Sequence, residues 1–168
     1  MPPNRRLVYI INSLDIGGAE VGMCRLLDGL DQNEYDVTIV ALSGQSRELV
    51  DRIPDWVTIL DLSLKSSPSV TTFAKFFRLI RSADVIVGSL FHSSIVARVF
   101  GVLNSRSLVA TWQHSNRFSS KVREKVYIWT AGLSDKILAD SEPVAEMLIE
   151  KYGLNENQID TVPIAGIE

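Results

Sequence analysis

The sequence predicts a doubly wound α/β domain, a mostly parallel sheet with helices on both faces. Three observations predict it. Short runs of β-branched and large apolar residues alternate along the chain with segments of helical periodicity, the pattern of strands joined by right-handed crossovers. The run Asp84 to Leu90, DVIVGSL, is apolar almost without interruption, as a strand covered on both faces must be. Leu7 to Glu20, LVYIINSLDIGGAE, reads as strand, glycine turn and helix.

The first strand, Leu7 to Ile11, stops at Asn12 and Ser13, and Gly17-Gly18 opens a helix. Glycine there allows positive φ and close approach of a ligand, and the helix aims unpaired N–H groups and its positive dipole end at the loop. Met23, Leu26, Leu27 and Leu30 repeat at helical spacing, so the helix spans Gly18 to Leu30. Tyr35 to Leu42 is the second strand, Gly44 to Arg52 a loop with a short helix, and Val57 to Leu62 the third strand. Ser67-Pro68 marks a helix start, serine as cap and proline at the first position, with Phe73, Phe76, Phe77 and Ile80 as its buried face.

After the fourth strand, Ile95, Val96, Val99, Phe100 and Leu103 mark a helix. Leu108 to Trp112 is the fifth strand and runs into Gln113-His114-Ser115; a helix from about Ser120 to Leu133 carries Val122, Val126 and Trp129 on one side. Lys136 to Ala139 is the sixth strand. Ser141 caps a helix whose Val144, Met147 and Leu148 face inward and whose end is set by Gly153. Asn155 to Gln158 is a turn, and Ile159 to Ile164 a last strand.

With 168 residues, 46% of them hydrophobic and 22% charged, the chain suits one globular domain with a substantial core. A formal charge of -3 and a pI near 5.4 exclude a chain whose whole surface serves nucleic acid. The lone cysteine, Cys24, forms no internal disulfide and reads as a small buried filler. MPPNRRLVYII is too short an apolar run for a signal peptide, and no apolar stretch reaches the roughly 20 residues that span a bilayer, so the reading places the protein in the cytoplasm.

In such a sheet ligands bind beyond the carboxyl ends of the strands. Asp15, Gly17, Gly18 and Glu20 follow the first strand; His92, Ser93 and Ser94 the fourth; His114, Ser115 and Arg117 the fifth; Ser141 and Glu142 the sixth. Both histidines fall in this set. Each residue also has a plainer reading. A turn into a helix needs glycine without any ligand, Glu20 is stabilised by the helix dipole, His114 and His92 suit hydrogen-bonded positions at helix entrances, and Ser141 suits a cap. The functional reading makes Glu20 and the histidines partners for hydroxyls of a polar substrate. A dinucleotide site would need G-x-G-x-x-G and an acidic residue closing the second strand, and a phosphate loop G-x-x-x-x-G-K-[ST]; none is present. No second histidine stands at metal-ligand spacing and there is no cysteine cluster, so no metal is expected. Arg117, Lys121, Arg123 and Lys125 form a basic cluster, either a solvated helix face or a patch that meets an anionic acceptor or membrane surface.

The ordered motifs GGAE, HSS after the fourth strand, TWQHS after the fifth, ILADSEPVAEMLIEKYG and VPIAGIE resemble the N-terminal domain of glycosyltransferase family four, the "group 1" enzymes of GT-B fold, over nearly the whole chain. The resemblance implies that residues 1–168 are a single Rossmann-like, acceptor-side domain. In that family it faces a second such domain, which binds the nucleotide-sugar donor. It further implies a generally retaining, metal-independent sugar transfer with the nucleotide sugar as co-substrate and no other cofactor. Gly17 and Gly18 would lie near the donor diphosphate and Glu20 toward the acceptor; His114 matches the family's sugar-contacting histidine and His92 the one after the fourth strand. Ser115 and Arg117 stand beside His114 as substrate-binding candidates. The implied partners are the C-terminal donor domain, absent here, and a sugar or lipid-linked acceptor; the basic cluster adds the expectation of peripheral contact at the inner membrane face, and the net charge that of no nucleic acid. Two departures stand out. P-N-G-[VI]-D is Pro163-Ile164-Ala165-Gly166-Ile167-Glu168 here, and the chain ends before any paired glutamates in E-x7-E. The alternatives are a non-catalytic α/β binding module and, disfavoured by the absent fingerprint, a dinucleotide-dependent oxidoreductase domain.

Overall fold

A computed structural model describes residues 4–44, 47–64, 66 and 69–163. Seven strands, β1 (Arg5–Ile11), β2 (Tyr35–Ala41), β3 (Thr58–Asp61), β4 (Val85–Ser89), β5 (Leu108–Gln113), β6 (Lys136–Ala139) and β7 (Ile159–Thr161), form one sheet in the order β3-β2-β1-β4-β5-β6-β7. Every pairing is parallel. Between them run α1 (Gly18–Asp28), α2 (Arg47–Val50), α3 (Val70–Ser82), α4 (Phe91–Gly101), α5 (Lys121–Thr130) and α6 (Glu142–Glu146), the last continuing as π-helix through Met147–Lys151.

The chain leaves β1 toward β2 and β3, then crosses back to β4 and proceeds the other way. Right-handed crossovers therefore put α1 and α2 on one face and the later helices on the other. The packing follows. Tyr9 and Ile11 meet Met23, Leu27 and Leu49 on the first face, whereas Val8 and Ile10 meet Phe76, Ile80 and Ala97 on the second. A third cluster joins Tyr127, Ile137, Val144 and Leu148 around β6. Alternate residues of β1 thus serve different cores, so its sequence from Leu7 to Ile11 is apolar without a break rather than alternating. Each such buried side chain contributes about 2 kcal/mol.

The helices differ from the sequence-based expectation in specific ways. On α4 the buried face is Ser93, Ser94, Ala97, Arg98 and Gly101, whereas Val99 is exposed, as is Leu103 beyond the helix. Close approach is the reason. A Cβ on Gly88 of β4 would come within 2.7 Å of Ala97 Cβ and the Ser93 carbonyl, and one on Gly101 within 2.5 Å of Val109 Cγ2. Small residues therefore face the sheet and the large ones spread sideways. Within that contact lies the fully buried guanidinium of Arg98. Its Nε donates to Ser134 Oγ at 2.8 Å, Nη1 to the Tyr127 carbonyl at 2.8 Å, and Nη2 to Thr111 Oγ1 at 3.0 Å. It lies 4.1 Å from the centre of the Tyr127 ring, and burial lowers its pKa.

On α5 the expected apolar side is not the core side. Tyr127 and Thr130 are buried, whereas Val122 and Trp129 are exposed, because residues 127 and 130 are the ones that turn toward Arg98 and the sheet. Ser120 does cap α5, its Oγ accepting from the Arg123 N–H, and the helix closes in a 3-10 turn at Ala131–Leu133. Ser141 occupies the cap position of α6 but its side chain makes no cap bond. α3 begins at Val70 after Ser69; Ser67-Pro68 and the segment Ile164 to Glu168 lie outside the described residues. Phe76 and Ile80 are its buried positions and Phe77 is exposed. Cys24 is half-buried against the first core cluster, where burial pushes its thiol pKa up.

Candidate functional site

The strand order reverses between β1 and β4, and in open parallel sheets this is where a crevice forms at the carboxyl ends. One hydrogen-bond set spans the reversal. Asn12, just past β1, accepts through Oδ1 from the Ser93 N–H and stands 3.1 Å from the Ser93 hydroxyl, in the first turn of α4. The Ser93 hydroxyl also lies against the carbonyls of Ser89 and Leu90, so its single proton chooses among three oxygens. Ser94 Oγ donates to the Gly88 carbonyl at 3.1 Å. The two serines tie the start of α4 back onto β4.

The joint between them is Leu90, with φ 74° and ψ 167°. A branched L-residue there is strained by roughly 1–3 kcal/mol, and strain of that kind collects where a site must be held in one shape. Leu90 lies on the wall between two clefts. The larger, about 790 Å³, is bordered by Asn12, Glu20 and His92 at its polar end; the smaller, about 180 Å³, holds His114, Ser115 and Arg117. Leu90, Phe91 and Arg123 border both, and the Arg123 guanidinium stands 5.4 Å from the centre of the Phe91 ring.

His114 follows β5, its ring tilted against Trp112 at 5.3 Å. Nε2 lies 2.7 Å from Ser89 Oγ, while Nδ1 is buried and has no hydrogen-bond partner among the described residues. Burial lowers its pKa to about 4, against the smaller opposing pull of Asp140, so the ring is neutral near pH 7. A neutral imidazole with one nitrogen committed to a hydroxyl has the other fixed as donor or acceptor, whichever tautomer Ser89 selects. Ser115 braces the loop: its carbonyl accepts from Gln113 Nε2 at 2.7 Å and its Oγ from the Arg117 N–H at 3.2 Å. Arg117 itself is exposed.

The glycine turn differs from expectation. Gly17 has φ -157°, extended backbone open to any residue, and among the described residues positive-φ glycines are Gly44 and Gly153. What Gly17 provides is room for Glu20, whose Oε2 lies where a Cβ would come within 2.5 Å. The Glu20 carboxylate folds back over the start of α1 with its own N–H as a partner, where the helix dipole favours a negative charge. Burial raises its pKa, that hydrogen bond opposes, and Asp15 adds a smaller upward push. Glu20 reaches the larger cleft, whereas Gly17 and Gly18 border neither.

The structure thus brings His114, Ser115 and Arg117 together, and Glu20 with His92 next to them. Asn12, Ser89 and Leu90 join these candidates, and Arg123 of the basic cluster borders both clefts. Ser89 had a legible signal, a polar residue closing an apolar strand; Leu90 had none, since its backbone angles are set by the chain on either side. Among the described residues no three His, Cys, Asp or Glu side chains are grouped to hold a metal, and no helix is long and apolar enough to cross a membrane.

A parallel α/β sheet with two clefts at its switch point defines a Rossmann-like domain. The chain belongs to Glycosyltransferase Family 4, whose family model matches residues 16–165. Among solved structures it is similar to Anabaena HepE in complex with UDP and glucose, with TM-score 0.70 and 14% identity over 95% of this chain and 44% of that one. It is also similar to the UDP-GlcNAc 2-epimerase of Methanocaldococcus jannaschii, with TM-score 0.64 and 16% identity over 94% of this chain and 45% of that one. A putative UDP-N-acetylglucosamine 2-epimerase from Listeria monocytogenes follows, with TM-score 0.60 and 14% identity over 93% and 44%. At these identities the likeness is one of fold, and the chain spans less than half the length of each. No curated protein matches it in sequence.

Proposed function

We propose that the chain is the acceptor-side half of a retaining glycosyltransferase that moves a sugar from a nucleotide-sugar donor to an acceptor hydroxyl. The donor half belongs to a second domain of similar size; that the neighbours are each more than twice as long supports this. The larger cleft takes the acceptor, with Glu20 and His92 as partners for its hydroxyl. His114 meets the transferred sugar, and Ser115 and Arg117 hold the loop at its edge. No cofactor beyond the nucleotide sugar enters this scheme.

One observation carries the reading. His114 stands at the carboxyl edge of the sheet with a neutral ring that borders the smaller cleft beside Ser115 and Arg117. A neutral imidazole at the edge of a cleft can exchange a hydrogen bond with a sugar hydroxyl, a matched partner that carries no charge. Holding the sugar so that the nucleoside diphosphate leaves as the acceptor oxygen arrives is positioning work, in which one well-placed hydrogen bond changes rates by roughly a hundredfold or more. The test is His114→Ala in the full-length protein, assayed for transfer of labelled sugar. A loss of about a hundredfold with the fold intact is expected; an unchanged rate would overturn the assignment.

A further inference from the structure

The strongest unexplained feature lies on α5. Lys121, Lys125 and Trp129 recur at four-residue spacing along one line of the helix and Val122 stands beside them, opposite the buried Tyr127 and Thr130. Trp129 is 86% exposed and Val122 71%. A tryptophan so placed gains nothing from the core, and its ring with flanking lysines is the composition of a surface that rests at a membrane interface. The whole chain carries a formal charge of -3, so this basic face is local rather than general.

The face continues into the site. Val122, Arg123 and Val126 border the larger cleft, whose walls there are aliphatic and aromatic: Leu90, Phe91, Ile95 and Val96. Its polar lining is Asn12, Ser13, Glu20, Ser43, His92 and Arg123. A bare sugar would leave these walls facing hydroxyls with no hydrogen bonds in return, whereas a hydrocarbon chain would cover them.

We infer that the free face of α5 seats the protein on an anionic membrane and that the larger cleft receives the apolar chain of an amphipathic acceptor drawn from that surface. The second half rests on the acceptor-side reading above. The chain would enter past Val122 and Val126, leaving the reacting hydroxyl beside Glu20 and His92. Nucleic acid is the less favoured occupant, because Val122 and Trp129 stand exposed beside the lysines, the carboxylate of Glu124 falls between them in the chain, and the face continues into a cleft lined largely by apolar side chains.

The test uses the full-length protein and vesicles of phosphatidylcholine with and without phosphatidylglycerol. Co-sedimentation with the anionic vesicles, reversed by high salt, is expected. Lys121→Glu with Lys125→Glu should weaken it by about tenfold or more, each basic residue being worth roughly fivefold at such a surface. Trp129→Ser should weaken it by about tenfold. All three side chains are exposed, so the variants should fold, as near-UV circular dichroism would verify. Absent sedimentation, equal binding to neutral vesicles, or variants that bind like the parent would overturn the docking surface. So would conversion of a dimer to a monomer by Trp129→Ser, or tight oligonucleotide binding that the same variants abolish. For the cleft, octyl glucoside should shift the methyl resonances of Val96, Val122 and Val126 and glucose should not; unmoved methyls would overturn that half. Vesicle binding is read without a donor, so it can fail while His114→Ala still abolishes transfer, and the reverse.

Discussion

Ser89 Oγ stands 2.7 Å from Nε2 of His114, joining the end of β4 to the residue after β5. The bond holds one nitrogen of a neutral, mostly buried ring and so decides what the other can offer. If this is how the ring is aimed, Ser89→Ala leaves the imidazole in place but frees its tautomer and tilt. We expect transfer to fall by about tenfold to a hundredfold, less than for His114→Ala, with little change in acceptor KM. Steady-state kinetics of the two full-length variants measure the order; equal effects on KM alone would contradict it.

Stability should fall on acidification through His114. Its folded pKa of about 4 lies below the ordinary value of 6.5, so the unfolded chain takes up a proton that the folded one refuses. The contribution is complete above pH 6.5 and is lost as pH drops toward 4, on the order of 2 kcal/mol between pH 7 and 5. Glu20, whose carboxyl is pushed up by burial, acts in the opposite sense nearer its own pKa. Urea unfolding of parent and His114→Gln at both pH values isolates the histidine: the variant should show a flatter profile.

Leu90 gives an inverted glycine effect. At φ 74° the leucine is strained, so Leu90→Ala removes packing and retains the strain, whereas Leu90→Gly removes both. Glycine should be the more stable variant by about 1 kcal/mol, although it is ordinarily the worse replacement. Denaturation midpoints of the pair decide it, and alanine at or above glycine would contradict the strain.

Two glycines with similar apparent clashes should behave differently. A Cβ on Gly88 meets the Ser93 carbonyl at 2.7 Å and the Ser94 Cα at 2.8 Å, neither of which can move without shifting α4. A Cβ on Gly17 meets only the tip of Glu20, which can swing away. Gly88→Ala is expected to destabilise by about 3 kcal/mol and Gly17→Ala by less than about 1 kcal/mol. Thermal melts of both variants give the comparison.

Arg98 is held by α5, β5 and Ser134 without a carboxylate. Lysine cannot reproduce the fork that reaches Ser134, the Tyr127 carbonyl and Thr111 together. Arg98→Lys should therefore destabilise by about 2 kcal/mol or more, measured by urea unfolding.

Where the candidate residues stand could be read in the residue order because strand ends can be read: once β4 and β5 were located, the positions of Ser93 and His114 followed. What could not be read was partnership. Nothing local to Ser89 indicates a histidine 25 positions away, and nothing local to Asn12 indicates Ser93. Periodicity also misled on α5, where Val122 and Trp129 keep helical spacing yet face away from the core. A helix repeat fixes which residues share a face but not which face meets the sheet. Neighbours decide that, here the small residues of α4 and the buried Arg98.

By itself the sequence determined the order of strands and helices, the parallel sheet and the edge on which the histidines stand, because these depend on short-range propensity and on apolar runs needing two covered faces. Only the tertiary structure decided that Glu20 fills the glycine turn, that Leu90 is strained between two clefts, and that the free face of α5 is apolar and basic. Those follow from contacts between segments far apart in the chain, where close packing leaves each side chain only the space its neighbours concede.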